Sequence, residues 1–118
     1  MAEWDLKVRT KDFAHRCVKM AMALPKNELS NHIRMQLIRS STSVAANYRA
    51  SCLAQSKAAF VAKLSICVEE ADESCFWMEF LIEENLMPET KLKDLLSEAE
   101  QLTSILIASR KTAKKTKN

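Results

Sequence analysis

The chain of 118 residues contains no glycine. Glycine supplies positive-φ turns and close backbone approach at no steric cost. Without it, neither a Walker-type phosphate loop nor a dinucleotide fingerprint can be written. Asn-Gly, Asp-Gly and Gly-Gly hairpin turns are missing for the same reason, which argues against a β-meander. Proline occurs only as Pro25 and Pro88, and aromatic residues make up 6% of the chain. No apolar run approaches the ~18–20 residues that cross a bilayer, so no membrane association is expected. The opening Met1-Ala2-Glu3-Trp4-Asp5 carries acids and no apolar h-region, which reads as a cytoplasmic address rather than a secretory one.

What is present is a soluble balance of 47% hydrophobic and 28% charged residues in a length that suits one domain. The net charge of +3 conceals segregation. Residues 1–63 hold eleven Lys/Arg against four Asp/Glu, residues 64–100 hold two against eleven, and residues 101–118 hold five against none. Such asymmetry bears on partners and self-association rather than on fold. Cys17, Cys52, Cys67 and Cys75 form no CxxC pair, and neither His15 nor His32 stands at a zinc spacing from them. They read as reduced thiols on buried helix faces.

Apolar spacing predicts four helices. The first runs from about Asp5 to Leu24 on a stripe of Phe13, Cys17, Met20, Ala21 and Leu24. Alternatively, Thr10 caps a shorter helix and leaves Trp4, Leu6 and Val8 as an apolar arm. The second begins near Asn27 or Ser30 and carries Ile33, Leu37, Val44 and Tyr48. Its run Ser40-Ser41-Thr42-Ser43 has poor helix propensity but permits close approach of a neighbour. A turn is needed between residues 50 and 56, with Ser56 capping the third helix, whose stripe is Phe60, Leu64, Cys67, Ala71, Ser74, Met78, Leu81 and Ile82. Val61, Val68, Cys75 and Trp77 widen that apolar face, which calls for more than one neighbouring helix. The fourth starts at Pro88 on Leu92, Leu95, Ala99, Leu102, Ile105, Leu106 and Ser109, and ends in a frayed basic tail from about residue 110 to 118. Four amphipathic helices with short connections predict an all-α, antiparallel up-and-down four-helix bundle as a single domain over residues 1–118.

Candidate chemistry is thin. Glu69, Glu70 and Glu73 place carboxylates at helical spacing, but no Glu-x-x-His motif accompanies them, so a solvated or interface-facing acidic surface outweighs a divalent-metal hydrolase. A catalytic thiol lacks a base, and no serine sits in a glycine-flanked elbow. No cofactor and no enzyme activity are expected. The basic residues carry more: Arg34, Arg39, Arg49, Lys57 and Lys63, with Lys111, Lys114 and Lys115, can neutralise phosphates, which requires only positive charge on a common surface. The competing readings are an ordinary charged surface, or pairing of these groups with the acidic third helix of another subunit.

One stretch resembles a known family. Gln36-Leu37-Ile38-Arg39-Ser40-Ser41-Thr42-Ser43-Val44-Ala45-Ala46-Asn47-Tyr48, then Ser56-Lys57-Ala58-Ala59-Phe60, Leu64-Ser65-Ile66-Cys67 and Glu69-Glu70, is similar to proteins encoded by intervening sequences of bacterial 23S rRNA genes, once classed as ribosomal proteins. The family pattern reads roughly Q-L-R-R-A-A-x-S-I-x-x-N-I-A-E-G. This chain departs from it at Arg49-Ala50-Ser51, which removes an acid and the usual helix breaker and adds a positive charge. The resemblance implies a four-helix bundle that forms homopentamers and has no enzymatic activity. A related branch is the accessory protein of diversity-generating retroelements, a basic barrel that binds nucleic acid beside a reverse transcriptase. The expectation is therefore a non-catalytic homopentamer that binds RNA or DNA, with a reverse transcriptase as a further partner. The alternative is a protein-interaction scaffold with no nucleic-acid role.

Overall fold

The computed structural model describes residues 3–116; Met1, Ala2, Lys117 and Asn118, and the side chains of Glu3 and Trp4, lie outside that description. Four helices follow one another as α1 (Glu3–Met22), α2 (Glu28–Cys52), α3 (Lys57–Glu83) and α4 (Glu89–Lys115). Connections of four or five residues force each helix to reverse against its predecessor. In cross-section α1 packs on α2, α2 on α3 and α3 on α4, and a thinner contact between α4 and α1 closes the square. The result is a rod of 50 × 21 × 20 Å, the all-α up-and-down bundle expected from the spacing.

One stripe per helix fills the centre. Phe13 and Cys17 of α1, Ile33, Leu37 and Val44 of α2, Leu64, Cys67, Ala71, Met78 and Leu81 of α3, and Leu92, Ala99, Leu102 and Leu106 of α4 are wholly withdrawn from water. Each large side chain among them contributes about 1.5–3 kcal/mol of transfer free energy. Phe60, Ile82 and Ile105, expected in the core, pack partly buried against it.

The helix ends follow the caps. Asn27 accepts the Ser30 N–H at 2.8 Å, and Ser56 accepts the Ala59 N–H at 3.1 Å. Thr10 does not cap a shortened helix. It lies inside α1, buried, and its hydroxyl donates to the Leu6 carbonyl at 2.7 Å, so residues 3–9 continue the helix rather than forming an arm. The basic segment expected to fray also stays helical, to Lys115.

The lack of glycine is met at one position. Among the described residues only Asn85 has positive φ, 57°. It follows the α3 C-cap, where the Asn85 N–H bonds the Ile82 carbonyl at 3.0 Å and the Leu86 N–H bonds the Leu81 carbonyl at 2.9 Å. These are the two bonds of a Schellman motif, and asparagine is the non-glycine residue that visits the left-handed region most readily.

The serine run lets α2 approach two neighbours. Ser40 and Ser41 are fully buried. Ser40 Oγ lies 2.9 Å from Ser74 Oγ of α3, whose own proton goes to the Glu70 carbonyl, also 2.9 Å away, so Ser40 is the donor between them. Ser41 donates to the Ile38 carbonyl at 3.4 Å and lies against Cys17 of α1. Small polar residues thus replace apolar bulk where the helices come together, with their hydroxyls satisfied across or along the seam. Ser30 is different: among the described residues its Oγ is the one buried side-chain oxygen without a partner.

Two stability outcomes follow, both measured by chemical denaturation. Asn85→Val should cost about 1–2 kcal/mol, because a β-branched residue is strained at positive φ, whereas Asn85→Gly should be neutral or stabilising. Ser30→Ala should stabilise the chain by roughly 1 kcal/mol, since it removes a buried, unsatisfied hydroxyl.

Candidate nucleic-acid interface

Antiparallel packing brings the start of α1, the end of α2, the start of α3 and the end of α4 to one end of the rod. Side-chain contacts fasten that end. Lys57, at the start of α3, donates through Nζ to the Lys114 carbonyl at 3.1 Å and to the Thr116 carbonyl, and Arg110 Nη1 lies 3.4 Å from Ser65 Oγ. A cleft lined by Ser51, Cys52, Lys57, Phe60 and Thr116 lies between the three helix ends. No carboxylate occurs from residue 29 to 68 or beyond residue 100. The contributions of α2, α3 and α4 to this end are therefore basic or neutral. Arg49, Lys63, Arg110, Lys111, Lys114 and Lys115 all belong to it.

The expected phosphate ligands divide into two groups. Arg49, Lys111, Lys114 and Lys115 are exposed and Lys63 is half-buried, and no ion pair or hydrogen bond engages their side chains among the described residues. All five are at the basic end. The other three are engaged within the chain. Arg34 donates from Nε to the Ala21 carbonyl at 3.0 Å and from Nη2 to the carbonyls of Leu24 and Pro25 at 2.9 and 3.1 Å. It satisfies carbonyls that the end of α1 leaves without intrahelical donors. Lys57 does the same for α4, where its charge also complements the helix dipole. Arg39 lies midway along the rod, where Nη1 meets Glu70 at 2.8 Å and Nη2 meets Glu73.

The Arg39 network answers the charge segregation within one subunit. Glu73 also accepts from Trp77 Nε1 at 2.9 Å. Burial opposes its charge, but the bonds from Trp77 and Arg39 outweigh burial and hold the Glu73 carboxyl below its ordinary range. A second pair joins α1 to α4: Arg9 donates to both Glu98 oxygens, at 2.7 and 2.8 Å, and to Gln101 at 2.9 Å. The bond from Arg9, against some burial, lowers the Glu98 pKa. Glu70 and Glu73, which sequence spacing offers as a metal pair, are thus turned to Arg39 while Glu69 is exposed. Burial pushes the Cys17 and Cys67 thiols up to about 12 and Cys75 to about 11, so these are inert side chains of the core.

Sequence reading overlooked a groove between α1 and α2 of about 660 Å³. Val8, Val18, Ala45 and Ala46 contribute apolar surface, while Lys11, His15 and Arg49 are among its polar lining. The signal was present in the i, i+4 spacing of Lys11 and His15, but its partner Arg49 lies 34 residues further on. No described helix is long and apolar enough to cross a membrane.

The family described as 23S rRNA-intervening sequence protein matches residues 3–108. Among solved structures, a protein with unknown function from the S23 ribosomal protein family of Bacteroides thetaiotaomicron is similar at 29% identity. The similarity covers 94% of this chain and 99% of that one, with a TM-score of 0.83. No curated protein matches the chain.

Because the Glu98 pKa is lowered in the folded state, its pair contributes stability above the unfolded carboxylate pKa, and this is lost as pH falls through the folded value. Glu98→Gln should therefore reduce stability at pH 7 and flatten the decline of melting temperature between about pH 5 and 3. Thermal denaturation across that range checks it; an unchanged acid limb would contradict the assignment.

Proposed function

Because the chain belongs to the 23S rRNA-intervening sequence protein family, we propose that it is a non-catalytic helical-bundle protein that assembles as a homopentamer and binds nucleic acid through its basic end. The observation that carries this reading is the set of Arg49, Lys63, Lys111, Lys114 and Lys115. They stand at one end of the rod, without ion pairs among the described residues, on segments that contain no carboxylate. Phosphate recognition needs positive charge on a shared surface and releases condensed counterions. In a cyclic assembly, copies related by one axis present the same end on the same side. A ring of rods aligned with that axis multiplies five basic groups into a broad cationic face. The lysines are compact point charges without an accompanying aromatic platform, so the contact is with the backbone and not with bases. Family membership favours RNA as the ligand. A reverse transcriptase acting on such an RNA is the protein partner this reading proposes.

Arg34, Arg39 and Lys57 are set aside as phosphate ligands because their donors already have acceptors in the chain. Removing them tests stability; removing the free lysines tests binding.

Affinity for a structured RNA, measured by fluorescence anisotropy, should fall steeply with salt. An assembly that neutralises about six phosphates loses roughly a thousandfold between ~50 and ~200 mM salt. Lys111→Glu, Lys114→Glu and Lys115→Glu together should abolish binding and leave the melting temperature nearly unchanged, while Arg39→Gln should leave affinity unchanged. Absence of binding at low salt would overturn this reading and leave the protein-interaction scaffold.

A further inference from the structure

The groove between α1 and α2 and the outer ridge of α3 are complementary, and they belong to different faces of one molecule. The α3 residues that face the core are Leu64, Cys67, Ala71, Met78 and Leu81. Half a turn away, at 100° per residue, stand Glu69, Phe76 and Glu83, with the part-buried Phe80 beside them. Phe76 is 50% exposed. It is held by neighbouring rings, with centroids 4.9 Å from Trp77 and 5.9 Å from Phe80, and Trp77 is in turn 5.6 Å from His32 of α2. The ridge is thus a pre-ordered aromatic patch between carboxylates, which reduces the ordering cost of burying it.

The groove has the opposite lining. It is apolar between Val8, itself 50% exposed, and the small residues Ala45 and Ala46; Lys11, His15 and Arg49 also line it, and no carboxylate does. By helical phase the apolar strip continues past both of its ends, to Met35, 70% exposed, and to Leu53, 73% exposed. Val8 to Val18 covers about 15 Å of helix and Glu69 to Glu83 about 21 Å, so the two carboxylates bracket the groove. Exposed apolar side chains aligned along a rod mark an association surface.

We infer that the α1–α2 groove receives the outer α3 ridge of a second copy of this chain, Phe76 and Phe80 covering the alanines and valines while Glu69 and Glu83 meet the basic lining. The inference rests on the oligomeric reading above and specifies its contact. A groove on one face and a ridge on another make a heterologous, head-to-tail interface, which builds a ring when the rotation closes. Since α3 lies beside α2 rather than straight across from the α1–α2 seam, successive copies turn instead of stacking in a line. Arg49, as part of the groove lining, is drawn into this contact, whereas the lysines at the end of α4 take no part and stay available to a polyanion.

The test is a charge swap read by light scattering at micromolar concentration, with circular dichroism as the check on folding. All the substituted positions are exposed, so helicity should be unchanged. Lys11→Glu with His15→Glu disables the groove, and Glu69→Lys with Glu83→Lys disables the ridge. Each double variant alone should drop to the monomer mass. Mixing the two should restore association well above the monomer mass, as open chains of alternating copies (a ring of five cannot alternate throughout), because each variant retains one native surface and the swapped surfaces attract. If the native chain is an oligomer and either variant keeps its mass, or the mixture stays monomeric, the docking inference is overturned while the oligomeric reading stands. If the native chain is a monomer, both fall, and the groove is left to an acidic helix of another protein.

Discussion

Phe13, Leu37, Met78 and Leu102 have no contact with water, and the rest of the molecule depends on their burial together. Each comes from a different helix. No single helix can hide its stripe alone, so the apolar faces of all four converge on one axis, and short connections leave antiparallel order as the way to do it. Every other feature is placed by this constraint. It carries the basic starts and ends of helices to one end of the rod, and it turns the remaining faces of α1, α2 and α3 outward.

Polar groups in the seams refine this packing. Ser40 and Ser74 share a hydrogen bond where bulkier residues would hold α2 and α3 apart. Arg34, Arg39 and Lys57 close helix ends or pair with carboxylates on a neighbouring helix. These contacts join residues 9 to 59 positions apart, and each withdraws a cation from the surface available to a ligand. Of the expected phosphate ligands, Arg49, Lys63, Lys111, Lys114 and Lys115 therefore remain. The Arg9–Glu98 pair plays the same part at the α4–α1 edge, where the helices touch least and an ion pair reinforces a thin contact.

The acidic α3 fills two roles by virtue of helical phase. The side of α3 nearest α2 presents Glu70 and Glu73 to Arg39 within the subunit. Its outer side carries Glu69 and Glu83 on either side of the exposed ring of Phe76. In the proposed ring the first pair stabilises the fold and the second selects the neighbour. Charge pairs at such a contact set register and association rate more than raw affinity.

Much of the fold was readable along the chain because it rests on local rules. Periodicity at 3.6 residues marked four stripes, Asn27 and Ser56 marked two helix starts, and the absence of glycine excluded phosphate loops and hairpins. The family resemblance rested on the same patterned positions. Where local signals competed, the tertiary structure decided: Thr10 looked like a cap but is buried inside α1, and the basic stretch after residue 110 stays helical because α4 is tied to α3 there. The division of the cations into internal clamps and a free end was not readable at all. A side chain's partner is set by which helices lie side by side and at what level, and Arg34 with Ala21, or Lys57 with Lys114, become neighbours only once the chain has reversed direction. Sequence alone determined that four amphipathic helices pack with their charges segregated; only packing decided which of those charges are neutralised and which still face outward.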